Sequence, residues 1–150
     1  MTRRSPLVIA LIVISLLLFL FATGVWRQYS MNSAARSVTL RVVEDTLSSS
    51  SAQTLIEYAH PDLLASVPNE SLNSYIASLP RTLGNLQALT TLTGGAEVAL
   101  LPTSDSENVA QFRVGLEFEA GNAEAQVDLA QVDGQWRVTA YTVYSPLLSH

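Results

Sequence analysis

Three alternating runs between Val109 and Tyr144, separated by Gly121-Asn122 and Asp133-Gly134, constrain this chain more than any other stretch. Both dipeptides suit two-residue hairpin loops; Asp-Gly is the stronger because a type I′ turn needs positive φ at both central positions. If each is a two-residue loop, the register follows by counting outward. Around the first, Phe118 faces Ala125, Leu116 faces Val127 and Val114 faces Leu129. Around the second, Leu129 faces Val138, Val127 faces Ala140 and Ala125 faces Thr142.

The two hairpins agree on one apolar face, from Phe112 and Val114 across Val127 and Leu129 to Trp136 and Val138. The other face carries Arg113, Glu117, Glu119, Glu124, Gln126, Asp128 and Arg137. Strand side chains alternate with period two, so a one-residue slip would expose the whole apolar set. Glu119 and Glu124 fall opposite each other near the first turn, a like-charge pair that a longer loop would relieve. Tyr141 and Val143 share the polar face and form a candidate interface patch. On the apolar face the last three strands offer only Thr142 and Tyr144 as inward polar groups. No general base suited to neutral pH points inward from them.

Leu7 to Trp26 is a run of twenty residues without a charge. As a helix at ~1.5 Å per residue it spans the ~30 Å hydrocarbon layer of a membrane. Arg3 and Arg4 precede it, while Trp26 and Tyr29 suit the far interface. Positive charge stays inside, which puts the amino terminus in the cytoplasm, with Arg27 offsetting part of the asymmetry. A cleaved signal peptide is the alternative, with small residues at Ser33-Ala34-Ala35, but the apolar run exceeds the usual ~7–15 residues. The expected organisation is a cytoplasmic tail (1–6), a transmembrane helix (7–26), a linker (27–36), an exported domain (37–146) and a tail (147–150). The corresponding location is a bacterial inner membrane, single-pass, with the domain periplasmic.

From residue 32 onward, five arginines stand against all thirteen acids, about eight net negative charges. A domain so acidic, without a basic stripe, argues against nucleic acid. It also repels anionic headgroups, so attachment falls to the apolar segment. Cysteine is absent, which excludes disulfides, thiolate metal sites and acylation at cysteine.

Between the apolar segment and the hairpins, helical patterns dominate. Over 36–51, Leu40, Val43 and Leu47 share a helical face while Val38, Leu40 and Val42 alternate as a strand would; helix is favoured because Glu44-Asp45-Thr46 breaks the alternation. Ser50 and Gln53 fit a capping box ahead of a short helix ending at Tyr58. In His60-Pro61-Asp62, Pro61 suits the first position of a helix and Asp62 complements its dipole. Asn69 suits the N-cap of a third helix with Leu72, Tyr75, Ile76 and Leu79 on one face, and Pro80 ends it. Leu86–Thr93 and Ala96–Leu101 read as two strands joined by a turn at Gly94-Gly95, followed by an acidic loop over Pro102–Asn108.

Chemical motifs are scarce. Two distant histidines and scattered acids do not make a metal site, and no cofactor is implied. There is no glycine-rich phosphate loop and no Gly-x-Ser-x-Gly. Glu117, Glu119, Glu124 and Asp128 lie on the solvated sheet face, which does not set up acid/base chemistry.

Helices followed by an antiparallel sheet closing on Asp133-Gly134-Gln135-Trp136-Arg137-Val138 resemble the nuclear transport factor 2-like (cystatin-like cone) superfamily, over roughly residues 37–146. The resemblance implies an α+β fold: about three helices packed on a curved, cone-like sheet of four or five strands. It also implies either an isomerase-like or ligand-binding cone or a non-catalytic partner module, some of these membrane-tethered. His60, Asp62, Thr142 and Tyr144 are the candidate pocket residues. The leading expectation is a non-enzymatic, membrane-anchored interaction or scaffold module with a protein partner or a second copy. A small hydrophobic-ligand binder is the alternative.

Overall fold

The computed structural model describes residues 6–98 and 107–148. Helix α1 (Pro6–Ser49) is followed by short helices α2 (Gln53–Tyr58) and α3 (Pro61–Ser66), and by α4 (Asn69–Leu83). Four strands follow: β1 (Leu86–Glu97), β2 (Val109–Phe118), β3 (Gly121–Val132) and β4 (Gln135–Tyr144), then a 3₁₀ turn at Pro146–Leu148. The class is α+β, as expected. The sheet runs β1-β2-β3-β4, antiparallel throughout, and is neither closed nor strongly curled. The expected loop at Pro102–Asn108 and the end of the expected second strand lie mostly outside the described residues.

Helix α1 holds 44 residues, roughly 66 Å at 1.5 Å per residue. It contains no proline after Pro6, and its one glycine, Gly24, weakens a helix without breaking it. Its first half is apolar and none of its most apolar window is buried, so it suits a single membrane span or a signal sequence. Its second half buries Ala35, Thr39, Val42, Val43, Thr46 and Leu47. That spacing makes a single stripe, the pattern of a helix packed on one side. Residues 27–36, read as a linker, are helical and join the two halves without interruption.

The first hairpin corrects the expected register. Phe118 pairs with Gly121 rather than Ala125, so Leu116 faces Ala123 and Val114 faces Ala125. The loop is Glu119-Ala120. The displacement is four residues, an even number, so every side chain keeps its face. The turn is held where it is by the end of α4: Ala120 N donates to Leu83 O at 3.0 Å and Glu119 N to Asn85 O at 3.1 Å. The Glu119 carboxylate in turn accepts from Asn85 N at 2.8 Å. Glu124 now faces Gly115, and the like-charge opposition is gone.

The second hairpin keeps its counted register from the turn to Leu129↔Val138. Asp133 (φ 50°) and Gly134 (φ 78°) both take the positive φ that a type I′ turn requires. Past Val138 the pairing shifts: Asp128 faces Ala140, Val127 faces Tyr141 and Ala125 faces Val143. One extra residue, Thr139, is bulged out, and a bulge reverses the alternation beyond it. Tyr141 and Val143 therefore move to the helix-covered side, whereas Thr142 and Tyr144 turn away from it. Val143 is 5% exposed and Tyr144 54%.

Strand β1 replaces the two strands expected on either side of Gly94-Gly95. Leu86, Leu89 and Leu92 recur every third residue, a spacing that no regular strand can bury on one face. Register shifts between Leu86/Ala88 and Leu89/Thr91 solve this, pairing the three leucines with Phe118, Leu116 and Val114. Gly94 remains in the ladder opposite Phe112.

The helices cover one face of the sheet, and the core joins α1 and α4 to Phe112, Val114, Leu116, Val127, Leu129 and Val138. Helix α4 buries Leu72, Ile76, Leu79 and Leu83, and it runs through Pro80 to a stop at Gly84 (φ 76°). Proline forfeits one helical bond, yet the fully buried Leu83 holds the last turn in place. The expected capping box does not form: α2 starts at Gln53 after Ala52 with no side-chain cap. Instead Gln53 N donates to Ser51 Oγ at 3.3 Å.

Candidate functional site

Two clefts flank the second half of β4. One, of about 400 Å³, lies between α3/α4 and β4 and is lined by residues including Leu63, Val67, Leu72, Tyr75, Ala140 and Tyr141. The other, of about 730 Å³, lies between α4 and the end of β4, with Ser78, Thr142, Tyr144 and Pro146 on its wall. Tyr75 borders both.

Tyr75 reaches β4 because it sits one turn from Leu72 and Leu79 on the stripe that α4 presents to the sheet. Its hydroxyl accepts from Val143 N at 3.0 Å and so closes an edge that no further strand covers. Tyr141 arrives by the Thr139 bulge. Its hydroxyl is buried and has no hydrogen-bond partner among the described residues. Burial, and then the neighbouring Tyr75, push the Tyr141 phenol above its ordinary value, so it is a donor at neutral pH.

The candidate pocket residues separate in the structure. Thr142 and Tyr144 line a cleft, Tyr144 at its exposed rim. His60 and Asp62 line neither of these clefts. His60 is the N-cap of α3, its Nδ1 accepting from Asp62 N at 3.1 Å, with Pro61 at the first position and Asp62 in the first turn. The Asp62 side chain is 92% exposed, 3.6 Å from His60 Nδ1. Nearby, His60 N donates to Val138 O at 2.7 Å and Ala59 bridges Val138, so the α2–α3 junction covers the first half of the β4 edge. This histidine stabilises a helix start.

The candidate interface pair also changes place. Tyr141 and Val143 are not a patch on the outer face, because the bulge carries them inward. The only inward polar groups expected on β4, Thr142 and Tyr144, are replaced by Tyr141. No glycine, proline or turn signal marks Thr139, which is why alternation alone misplaced all four residues.

Among the described residues, neither cleft is lined by a carboxylate or an imidazole. The Tyr141 hydroxyl is an unsatisfied donor shut off from solvent, so an occupant of the cleft reaches it only if the wall opens; among the described residues the lining provides no base to accept a proton there. Among the described residues no group of three or more potential metal ligands comes together. No family model, curated protein or solved structure matches this chain.

Proposed function

We propose that the chain is a single-pass membrane protein whose exported domain is a non-enzymatic interaction module. The observation that carries this reading is α1 itself. Twenty or so apolar residues with no buried surface run, in one helix, into a stripe that the sheet covers. Leaving such a surface in water is costly at about 25 cal/mol per Å², and a bilayer removes that cost. Arg3 and Arg4 favour a cytoplasmic amino terminus, which places the domain outside the cytoplasm. The outer sheet face, where Gln111 bonds Asp128 at 2.9 Å and Arg113 lies 4.0 Å from Glu124, is the surface offered to a protein partner or second copy.

The cysteine-free sequence makes the test clean. In intact cells, Ser145→Cys reacts with a membrane-impermeant maleimide and Thr2→Cys does not; the opposite pattern overturns the topology. A photo-cross-linker at Gln126 in native membranes gives a discrete adduct. A chain that stays monomeric and free of adducts counts against the interaction role.

The orphan Tyr141 hydroxyl favours a second reading, a site for a small apolar ligand bearing a hydrogen-bond acceptor. On that reading acetophenone perturbs the NMR signals of Ala140 and Tyr141, and Tyr141→Phe weakens its binding roughly tenfold, the worth of one hydrogen bond. Absence of any perturbation removes this reading. Kinship with the nuclear transport factor 2-like superfamily is supported by the order of helices before sheet and by the Asp133–Val138 hairpin. We propose this kinship together with the role above.

A further inference from the structure

The stripe that α1 presents to the domain does not stop where the sheet stops. Ala35, Thr39 and Val42 are buried under it, and the same face continues backward through Asn32, Gln28, Gly24 and Phe21 at helical spacing. Two amides on this face hold the end of β1. Gln28 Nε2 donates to Ala96 O at 2.8 Å, and Asn32 Oδ1 accepts from Ala96 N at 2.9 Å. An edge residue of the sheet thereby has both backbone groups satisfied by one turn of helix.

This clamp sets the height of the sheet. Gln28 lies three residues beyond Val25, roughly 4.5 Å along the axis. A headgroup layer is about 5–8 Å deep on each side of the hydrocarbon. With the apolar segment in a bilayer, Gly95 and Ala96 therefore stand at the membrane surface. Below them the helix and the strand end enclose a groove of about 680 Å³. The helix forms one wall, apolar at Leu20, Phe21, Gly24 and Val25 and polar at Gln28, Tyr29 and Asn32, and Gly95 and Ala96 form the other. A Cβ on Gly24 would meet no atom of the described residues within 4 Å, so among them the groove floor is open. Among the described residues no charged side chain lines it.

We propose that this groove takes an acyl chain of a bilayer lipid, entering sideways from the membrane. The proposal rests on the reading of α1 as a span. A lipid fits better than a soluble partner because one wall belongs to the helix segment lying within the hydrocarbon. The volume falls within the ~300–1,000 Å³ of small-molecule sites.

The test reconstitutes the full chain in phosphatidylcholine vesicles carrying a phospholipid with a diazirine on its acyl chain. After irradiation, tryptic peptides are mapped by mass spectrometry. Adducts are expected on the span peptide, residues 5–27, and at Gly95-Ala96 within peptide 82–113. Gly24→Leu, which fills the floor without touching the domain, should abolish the adduct at Gly95-Ala96 and leave the span adducts intact. Span adducts without one at Gly95-Ala96 overturn the proposal, as does an adduct there that survives Gly24→Leu. A chain-to-chain cross-link through the groove in place of a lipid adduct overturns it too. Absence of span adducts refutes the anchor reading instead, so the two failures are distinguishable.

Discussion

Gly94→Ala is the sharpest probe of whether β1 is one strand or two. Gly94 has φ 109° within the ladder, and a Cβ there would be built into the backbone carbonyl of Gln111 on β2. A side chain in that backbone region costs about 1–3 kcal/mol. Relieving the collision means prising β1 from β2 at the Gly94↔Phe112 pair, which forfeits a ladder bond worth about 0.5–1.5 kcal/mol. The expected loss is about 3 kcal/mol, a large share of the ~5–15 kcal/mol that a domain possesses. At ~1–3 kcal/mol per M of urea, the midpoint falls by about 1–3 M. The assay is urea unfolding of the full chain in detergent micelles, read by Trp136 fluorescence in a Trp26→Phe background; Trp136 is 5% exposed and reports the core. Gly95→Ala is the control, since its backbone is ordinary and its Cβ would meet only Asn32 Oδ1, at 3.2 Å. If Gly94→Ala destabilises no more than Gly95→Ala, the pair is the flexible turn that a reading of the sequence suggests, and the single-strand account is refuted.

Three further outcomes follow from particular contacts. Val143→Lys buries an unpaired ammonium and costs on the order of 4 kcal/mol or more, whereas Tyr144→Lys shifts stability by about 0.5 kcal/mol or less; circular dichroism melts of the two variants reverse in order if Thr139 is not bulged. The raised Tyr141 phenol contributes stability that is fully present below the unfolded value of about 10 and is lost as pH climbs toward its folded value. Wild type should therefore weaken faster than Tyr141→Phe between about pH 9 and 11 in urea midpoints, and parallel curves would contradict the burial. Glu119→Ala leaves Asn85 N without its acceptor and costs about 1 kcal/mol, most of which Glu119→Gln restores; no loss in either variant would show that the turn is held by its backbone bonds alone.

Much of the fold is legible in the residue pattern, for identifiable reasons. Period-two alternation over Phe112–Phe118 and Ala125–Leu129 assigns faces correctly even though the first register is wrong by four, because an even displacement preserves parity. Asp133-Gly134 is read correctly because positive φ at both positions leaves the chain few choices. What fails is what no local signal encodes. Thr139 sits in an unbroken β-favouring run, so nothing in it announces the bulge that inverts Tyr141 through Tyr144. The Leu86-Leu89-Leu92 spacing is visible, but it becomes a strand only when β2 supplies the paired partners that two bulges bring into line. Gly94-Gly95 looks like a turn in isolation; the nearness of Gln111 is what requires glycine there. Of the candidate site, the helix start at Pro61-Asp62 was legible, whereas the N-cap role of His60 and the inward Tyr141 beside Tyr75 were not.

A separate misreading concerns α1. An apolar run of twenty residues looks like a self-sufficient span, and residues 36–51 look like a separate helix beyond a linker; nothing in composition joins them. The structure joins them by keeping one face in phase from Phe21 through Gln28, Asn32 and Ala35 to Thr46, so helix rotation in the apolar segment and docking of the sheet are the same variable. A flexible linker would let the domain turn freely above a membrane. A continuous helix clamped to Ala96 does not: with the proposed span in a bilayer, it holds the Ala96 end of β1 at a fixed height and rotation relative to the apolar segment.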